Sequence, residues 1–180
     1  IGKYYRENRT NVQYDSISKN LIHALVATED IRFEEHSGID LRGSFAILWY
    51  MLKGDKRGAS TISQQLSKNL FKTRGAKYEG ALAKANNKAR LVINKTKEWI
   101  TAIQIERSYT KQEIITMYLN TVDFGSNSFG IATASQTFFS IPQDSLSISQ
   151  AAMLVGLLKA PSYYSPIYNP DNALVRRNTV

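Results

Sequence analysis

The chain has 180 residues, of which 43% are hydrophobic and 21% charged, enough apolar material for a packed core and too little charge for wholesale disorder. With no cysteine, and only His23 and His36 as imidazoles, a disulfide framework and a thiolate metal site are excluded and too few imidazoles remain for a multi-histidine centre. The net charge of +8 is uneven: from Lys53 to Lys97 twelve Lys or Arg stand against two acids, so this segment carries +10 and the rest of the chain −2. Such a stripe fits an anionic partner (nucleic acid, an anionic membrane surface or a phosphorylated substrate), and it fits a solvated helix face equally well.

Taken in order, residues 1–15 alternate briefly and predict a strand or an extended arm. Leu21, Ile22, Leu25 and Val26 recur at helical spacing and lead into Glu29. The run from Phe45 to Leu52 is apolar with Trp49 and Tyr50, and the segment 53–60 that follows reads as a Gly- and charge-rich loop. The pair suits partial insertion at a membrane interface, with Lys53, Lys56 and Arg57 meeting headgroups; a buried core helix has the same periodicity. From Ser60 a helix is predicted with Ile62, Leu66 and Leu70 on one side, and an amphipathic helix over 84–107 through Val92, Ile93, Trp99, Ile100 and Ile103. Thr110 with Glu113 forms a capping box opening a helix that ends near Asn120, and Ser147 with Gln150 does the same for a helix closed before Pro161. A last helical stretch covers Ala173 to Val180. The longest apolar runs, Phe45 to Leu52 and Ala151 to Leu158, fall far short of the ~20 residues a bilayer-spanning helix needs. Strands are few and no repeat is visible, so one mainly α domain spanning 1–180 is the reading.

Three clusters carry chemistry. In Glu29-Asp30-Ile31-Arg32-Phe33-Glu34-Glu35-His36-Ser37-Gly38 an acid follows an apolar helical stretch, and a place at a cleft wall would suit it to proton transfer. On this segment alone, an acidic helix end in solvent is the commoner meaning. In Gly58-Ala59-Ser60-Thr61-Ile62-Ser63-Gln64-Gln65-Leu66-Ser67-Lys68-Asn69 the helical period places Thr61, Gln65, Lys68 and Lys72 on one face, where a hydroxyl, an amide and an ammonium can hold phosphate oxygens. A polar solvent face has the same spacing, although two adjacent glutamines beside a small-residue turn are an unusual choice for it. In Asn94-Lys95-Thr96-Lys97-Glu98, Asn94 and Lys95 share a face with Glu98; a carboxylate flanked by lysines suits a developing sugar cation and its leaving group, and also makes an ordinary i,i+3 ion pair.

In order and separation these clusters resemble the signature motifs of the family 51 peptidoglycan glycosyltransferases, found in class A penicillin-binding proteins and in monofunctional enzymes. Glu29, Asp30, Phe33, His36 and Gly38 match the first motif, Gly58 to Asn69 the second, and Lys95 with Glu98 the third. Tyr118-Leu119-Asn120 with Phe124-Gly125, and Ala151-Ala152-Met153-Leu154-Val155-Gly156-Leu157, resemble two further structural segments of the family. Two positions depart: Asn94 stands where an arginine usually opens the third motif, and Asp123 where an aromatic usually precedes Phe-Gly.

The resemblance implies a lysozyme-like, mainly α fold with a large globular lobe and a small membrane-facing lobe. It implies polymerisation of lipid II into β-1,4-linked glycan with inversion and release of undecaprenyl pyrophosphate. Glu29 would be the base and Glu98 would stabilise or orient the sugar and pyrophosphate region. Asp30 would position Glu29; Thr61, Gln65, Lys68, Asn69 and Lys95 would bind the pyrophosphate end of the substrate; and Phe33, His36, Gly38, Ser60 and Gln64 would shape the cleft. No cofactor is implied as obligatory, with Mg²⁺ or Mn²⁺ at the pyrophosphate in some members and no metal site built by the protein alone. The implied partners are lipid II, the growing lipid-linked glycan, a membrane surface and a C-terminal transpeptidase domain, with no nucleic acid. The implied place is the outer face of a bacterial cytoplasmic membrane. The sequence is accordingly read as a fragment that lacks an N-terminal anchor and any C-terminal transpeptidase domain. Two other classes share some of these features. A lysozyme-like hydrolase would use a glutamate without needing the Thr61, Gln65, Lys68 row, and a helical nucleic-acid-binding module would explain the charge but not the paired Glu29 and Glu98.

Overall fold

Helical periods dominate the sequence, and the computed structural model is mainly helical across the residues it describes, 8–42, 60–71 and 87–180. The apolar stretch 45–52, the loop at 53–59 with Gly58, Lys72, and residues 1–7 and 84–86 lie outside the described residues. The chain divides into two compact units, one of Ile1–Ile31 with Ile115–Val180 and one of Arg32–Ile114.

In the first unit, α1 (Lys19–Glu29) buries Leu21, Ile22 and Leu25. Their i, i+1, i+4 spacing makes one apolar stripe, and burying each such side chain contributes about 1.5–3 kcal/mol. Farther along the chain, α4 (Lys111–Thr121) is shared between the two units; α5 (Ile131–Phe139), α6 (Ile148–Leu157) and α7 (Pro170–Arg177) belong to the first. The stripe on α1 packs against α6, which also packs against α7 and is apolar nearly all round, with Ala151, Ala152, Leu154, Val155, Gly156 and Leu157 all buried. Both expected capping boxes are present. Thr110 N–H and Oγ1 donate to Glu113 Oε2 at 2.7 and 2.8 Å at the start of α4, and Ser147 and Gln150 exchange bonds at the start of α6.

Among the described residues the N-terminal arm contributes a two-residue strand, β1 (Asn8–Arg9), paired in parallel with β2 (Ser128–Phe129), and a 3₁₀ turn at Tyr14–Ser16. Asn120 fastens the arm: its side-chain amide donates to Val12 O and accepts from Val12 N–H, both at 2.9 Å. Gly130 (φ 81°) passes so close that a Cβ there would lie 2.8 Å from Asn120 O, which only glycine permits. Before β2 the chain reverses at Ser126 and Asn127, both left-handed, with Ser128 N–H donating to Gly125 O at 2.8 Å. Asp123 Oδ1 accepts from Gly125 N–H at 2.7 Å and caps this reversal. An aromatic ring offers no such acceptor, so the departure at Asp123 has a local structural reason.

In the second unit, α2 (Ile62–Phe71) packs along α3 (Asn87–Ser108). Here one sequence expectation fails. The apolar residues of α3 do not form its buried face: Val92, Trp99 and Ile100 are 65%, 45% and 54% exposed, and Ile93 and Ile103 are half-buried. The buried line is Glu98, Ala102 and Ile105, at i, i+4 and i+7. Polar Glu98 takes a core place because it is paired, and small Ala102 takes one because another backbone lies against it. On α2, Ile62 and Leu66 are buried as expected, whereas Leu70 at the end of the row is 43% exposed.

Candidate active site

The acid of the first motif closes a helix. Glu29 is the last residue of α1 and is half-buried; the next residue, Asp30, is buried, and its N–H bonds Val26 O at 3.0 Å. Within the same unit the Glu29 carboxylate lies near the phenol of Tyr118 on α4. Tyr118 is fully buried, and its pKa is driven far above the usual phenol range, by burial first and by the Glu29 charge second. The phenol therefore stays protonated and can donate, beside a carboxylate that can accept.

The remainder of the first motif belongs to the second unit, where it is bound to the second motif. Gly38 (φ 95°) lies against the backbone of α3: an added Cβ would sit 2.8 Å from Ala102 C and 2.9 Å from its O. The Gly38 carbonyl accepts from Thr61 Oγ1 at 2.8 Å and from Gln64 Nε2 at 3.3 Å. Thr61 also accepts from Gln64 N–H at 3.2 Å, the bond of a helix N-cap. Thr61 and Gln64 are each 3% exposed, while Gln65, Lys68 and Asn69 are half-buried farther along α2. The predicted polar row is thus divided by burial, with Thr61 engaged in holding the turn and Gln65 and Lys68 on the more accessible side.

In the third motif Glu98 is 1% exposed, and its Oε2 accepts from Lys95 Nζ at 2.7 Å. The same ammonium donates to Ser60 Oγ at 3.2 Å. Ser60 is thereby joined to Lys95, so the turn that opens α2 meets the third motif on α3. The Lys95 side chain is 37% exposed, and among the described residues these two partners take two of its three N–H donors. Asn94 is half-buried one turn before Glu98.

Sequence reasoning missed a second ion pair in this unit. Lys111 Nζ lies 2.8 Å from Glu106 Oε2, donates to His36 O at 2.7 Å and stands over the Phe33 ring, 4.3 Å from its centre. Ser63 Oγ donates to Glu106 Oε1. Phe33 is fully buried and meets His36 edge-on, and His36 Nδ1 accepts from Gly38 N–H at 3.1 Å. The available signal was weak, since Glu106 lies eight residues after Glu98, about 80° away on the helix. Near the same loop, Arg32, Glu35, His36, Ile39, Asp40, Leu41 and Arg42 line a cavity of about 560 Å³, where Arg32 is held by Asp40 through Nε at 3.0 Å. Among the described residues no group of three or more His, Asp or Glu side chains converges on a metal position, so these donors alone do not build a site for Mg²⁺ or Mn²⁺.

Within the second unit the buried Glu98 holds a half-exposed lysine, and the Gly38 turn lies tight against α3. The transglycosylase family model matches residues 1–180, and the chain belongs to that family. As such it is a peptidoglycan glycosyltransferase (transglycosylase) domain. It is 40% identical over 182 residues to penicillin-binding protein 1F of Bacillus subtilis, covering 100% of this chain and 24% of that protein. It is 37% identical over 182 residues to penicillin-binding protein 1A of Escherichia coli (100% of this chain, 20% of that protein), and 40% identical over 178 residues to penicillin-binding protein 1A of Aquifex aeolicus (97% and 22%). The chain therefore spans about a quarter or less of the length of these curated relatives.

Proposed function

We propose that Glu29 is the general base of this domain. It takes the proton of the 4-hydroxyl of the N-acetylglucosamine on incoming lipid II. The hydroxyl oxygen then bonds to C1 of the N-acetylmuramic acid at the lipid-bearing end of the growing strand. The C1–oxygen bond to undecaprenyl pyrophosphate breaks, and its electrons leave with the pyrophosphate. An alcohol is a poor nucleophile at neutral pH, and a positioned base contributes typically 10²–10⁴-fold. The half-buried helix-end place of Glu29 supports this role, and Asp30 beside it steadies the helix end.

The leaving group needs cations where its charge develops. Glu98, buried and paired, is read as the anchor of Lys95, whose remaining N–H donor points the ammonium's charge at a phosphate oxygen. Gln65, Lys68 and Asn69 extend that polar surface, while Thr61, Gln64, Gly38 and Ser60 hold the turn that carries them. Any divalent ion would be held chiefly by substrate phosphates. The observation that carries the reading is the family match along the whole chain together with the buried Glu98–Lys95 pair in its third motif.

The full gene product is read as a class A penicillin-binding protein with a C-terminal transpeptidase domain, anchored so that this domain works at the outer face of the cytoplasmic membrane. Among the described residues no helix is long and apolar enough to cross a membrane. The exposed Phe71, Val92, Trp99 and Ile100 support contact with a lipid surface, as does the composition of the 45–52 stretch. The test is an assay on two substrates. Lipid II should be converted to glycan polymer with undecaprenyl pyrophosphate released, and polymeric peptidoglycan should be left intact; cleavage of the polymer with no lipid II turnover would make the protein a hydrolase.

A further inference from the structure

We infer that Lys111 is a positioning residue of the transfer reaction, acting through Glu106 to hold all three motif-bearing segments in one arrangement; this rests on the functional reading above. The ammonium of Lys111 meets three things at once: the Glu106 carboxylate on α3 at 2.8 Å, the His36 carbonyl of the first motif at 2.7 Å, and the face of Phe33 from the same motif. The other oxygen of Glu106 takes the hydroxyl of Ser63, in the second motif on α2. Glu106 stands on the helix that carries Lys95 and Glu98 of the third motif. One ion pair thus ties the first-motif loop, α2 and α3 to the start of α4.

Its surroundings make the tie rigid. The Glu106 side chain is 4% exposed, that of Lys111 22%, and Ser63 and Phe33 are fully buried. A charge-assisted bond so shielded is less screened and stronger than a surface pair, and removing one partner leaves a stranded charge. None of these groups belongs to the proposed base or to the proposed phosphate contacts. The pair is also dearer than an apolar contact would be, since buried ion pairs often contribute little net stability. Its geometric effect is plain: it fixes where the His36 carbonyl, and through the Gly38 N–H bond to His36 the adjoining Gly38 turn, sit relative to α2 and α3. Misplacing reacting groups by about 1 Å can cost on the order of 10²-fold in rate.

The experiment uses the full gene product with Lys111→Met, Lys111→Arg and the double variant Lys111→Met/Glu106→Gln, reading kcat and KM on lipid II beside the thermal midpoint of each protein. Lys111→Met should lower kcat by about 10- to 100-fold with a smaller change in KM, and Lys111→Arg, which keeps the charge, should lose less. The double variant removes the stranded charge without restoring the tie, so its thermal midpoint should recover while kcat stays low. Recovery of kcat together with the midpoint would reduce the pair to a stability element and overturn the inference, as would unchanged kcat in a folded Lys111→Met protein. If Lys111→Met does not fold, the double variant carries the test; if neither folds, Ser63→Ala does, with a loss of about 3-fold or more in kcat expected at an unchanged midpoint and an unchanged kcat overturning the inference. Wild-type protein inactive on lipid II would instead sink the functional reading and leave the geometric tie untouched.

Discussion

Glu29 and Glu98 are both helical glutamates in matched motifs, yet their surroundings differ in kind. Glu29 ends its helix, half-buried beside a phenol that burial keeps protonated. Glu98 sits within a helix at 1% exposure, with the Lys95 ammonium 2.7 Å away. A carboxylate at a partly open helix end stays accessible from outside, whereas one that is buried and paired holds its cation in place. The contrast teaches that two acids placed alike by motif spacing come to differ in burial and in partner.

The widest break between them should come from removing a charge without changing shape. Glu29→Gln should lower glycan polymerisation by roughly 10²-fold or more while the protein still folds, because it removes a base and keeps the shape of a half-buried side chain. Near-normal turnover by the folded variant would end the assignment of Glu29 as base. The second region should respond in the opposite currency. Lys95→Met leaves Glu98 buried without its cation and should lower stability by about 2 kcal/mol, discounted from a fully buried pair because Lys95 is itself partly exposed. Chemical denaturation would read it, and an unchanged midpoint would show that Glu98 is held by other partners.

A finer probe of the first region is pH. Tyr118 has a folded-state pKa raised above its unfolded value of about 10, so its contribution to stability is complete below pH ~10 and is lost as pH rises from there toward the folded value. Wild-type protein should therefore unfold more readily in alkali, and Tyr118→Phe should flatten that limb of the stability curve; identical alkaline limbs would separate Tyr118 from the effect. The smallest change is expected at Asn94. Asn94→Arg places a forked, permanently charged donor one turn before Glu98, contributing about 1–2 kcal/mol to pyrophosphate binding if the site is partly desolvated. Activity on lipid II should be equal or higher; a folded but inactive variant would show that the site is built around the smaller residue.

Local signals were the legible ones. Both capping boxes are where Thr110, Glu113, Ser147 and Gln150 placed them, because a cap is decided within four residues. The helix with Leu21, Ile22 and Leu25 inward was readable for the same reason. What the sequence concealed depends on distant partners. Thr61 looked like a phosphate donor on a polar row, but the Gly38 carbonyl, 23 residues earlier, takes its hydroxyl. The buried face of α3 could not be read from hydropathy, since Glu98 is inward because of Lys95 and Ala102 because of Gly38, while Trp99 is outward. The Glu106–Lys111 pair had no motif to flag it, and α5 escaped because its apolar residues sit among Thr and Ser without a cap signal.

The carbonyl of Gly38, shared by Thr61 and Gln64, has a consequence for motion. Lifting the first-motif loop from α2 would expose two donors at one stroke, and neither donor can be satisfied by a partial displacement of the other. The loop and the first turn of α2 should therefore open as one cooperative step rather than fray residue by residue. In amide hydrogen exchange, the Gly38 and Gln64 N–H groups would share one opening free energy, and Thr61→Val would speed both together.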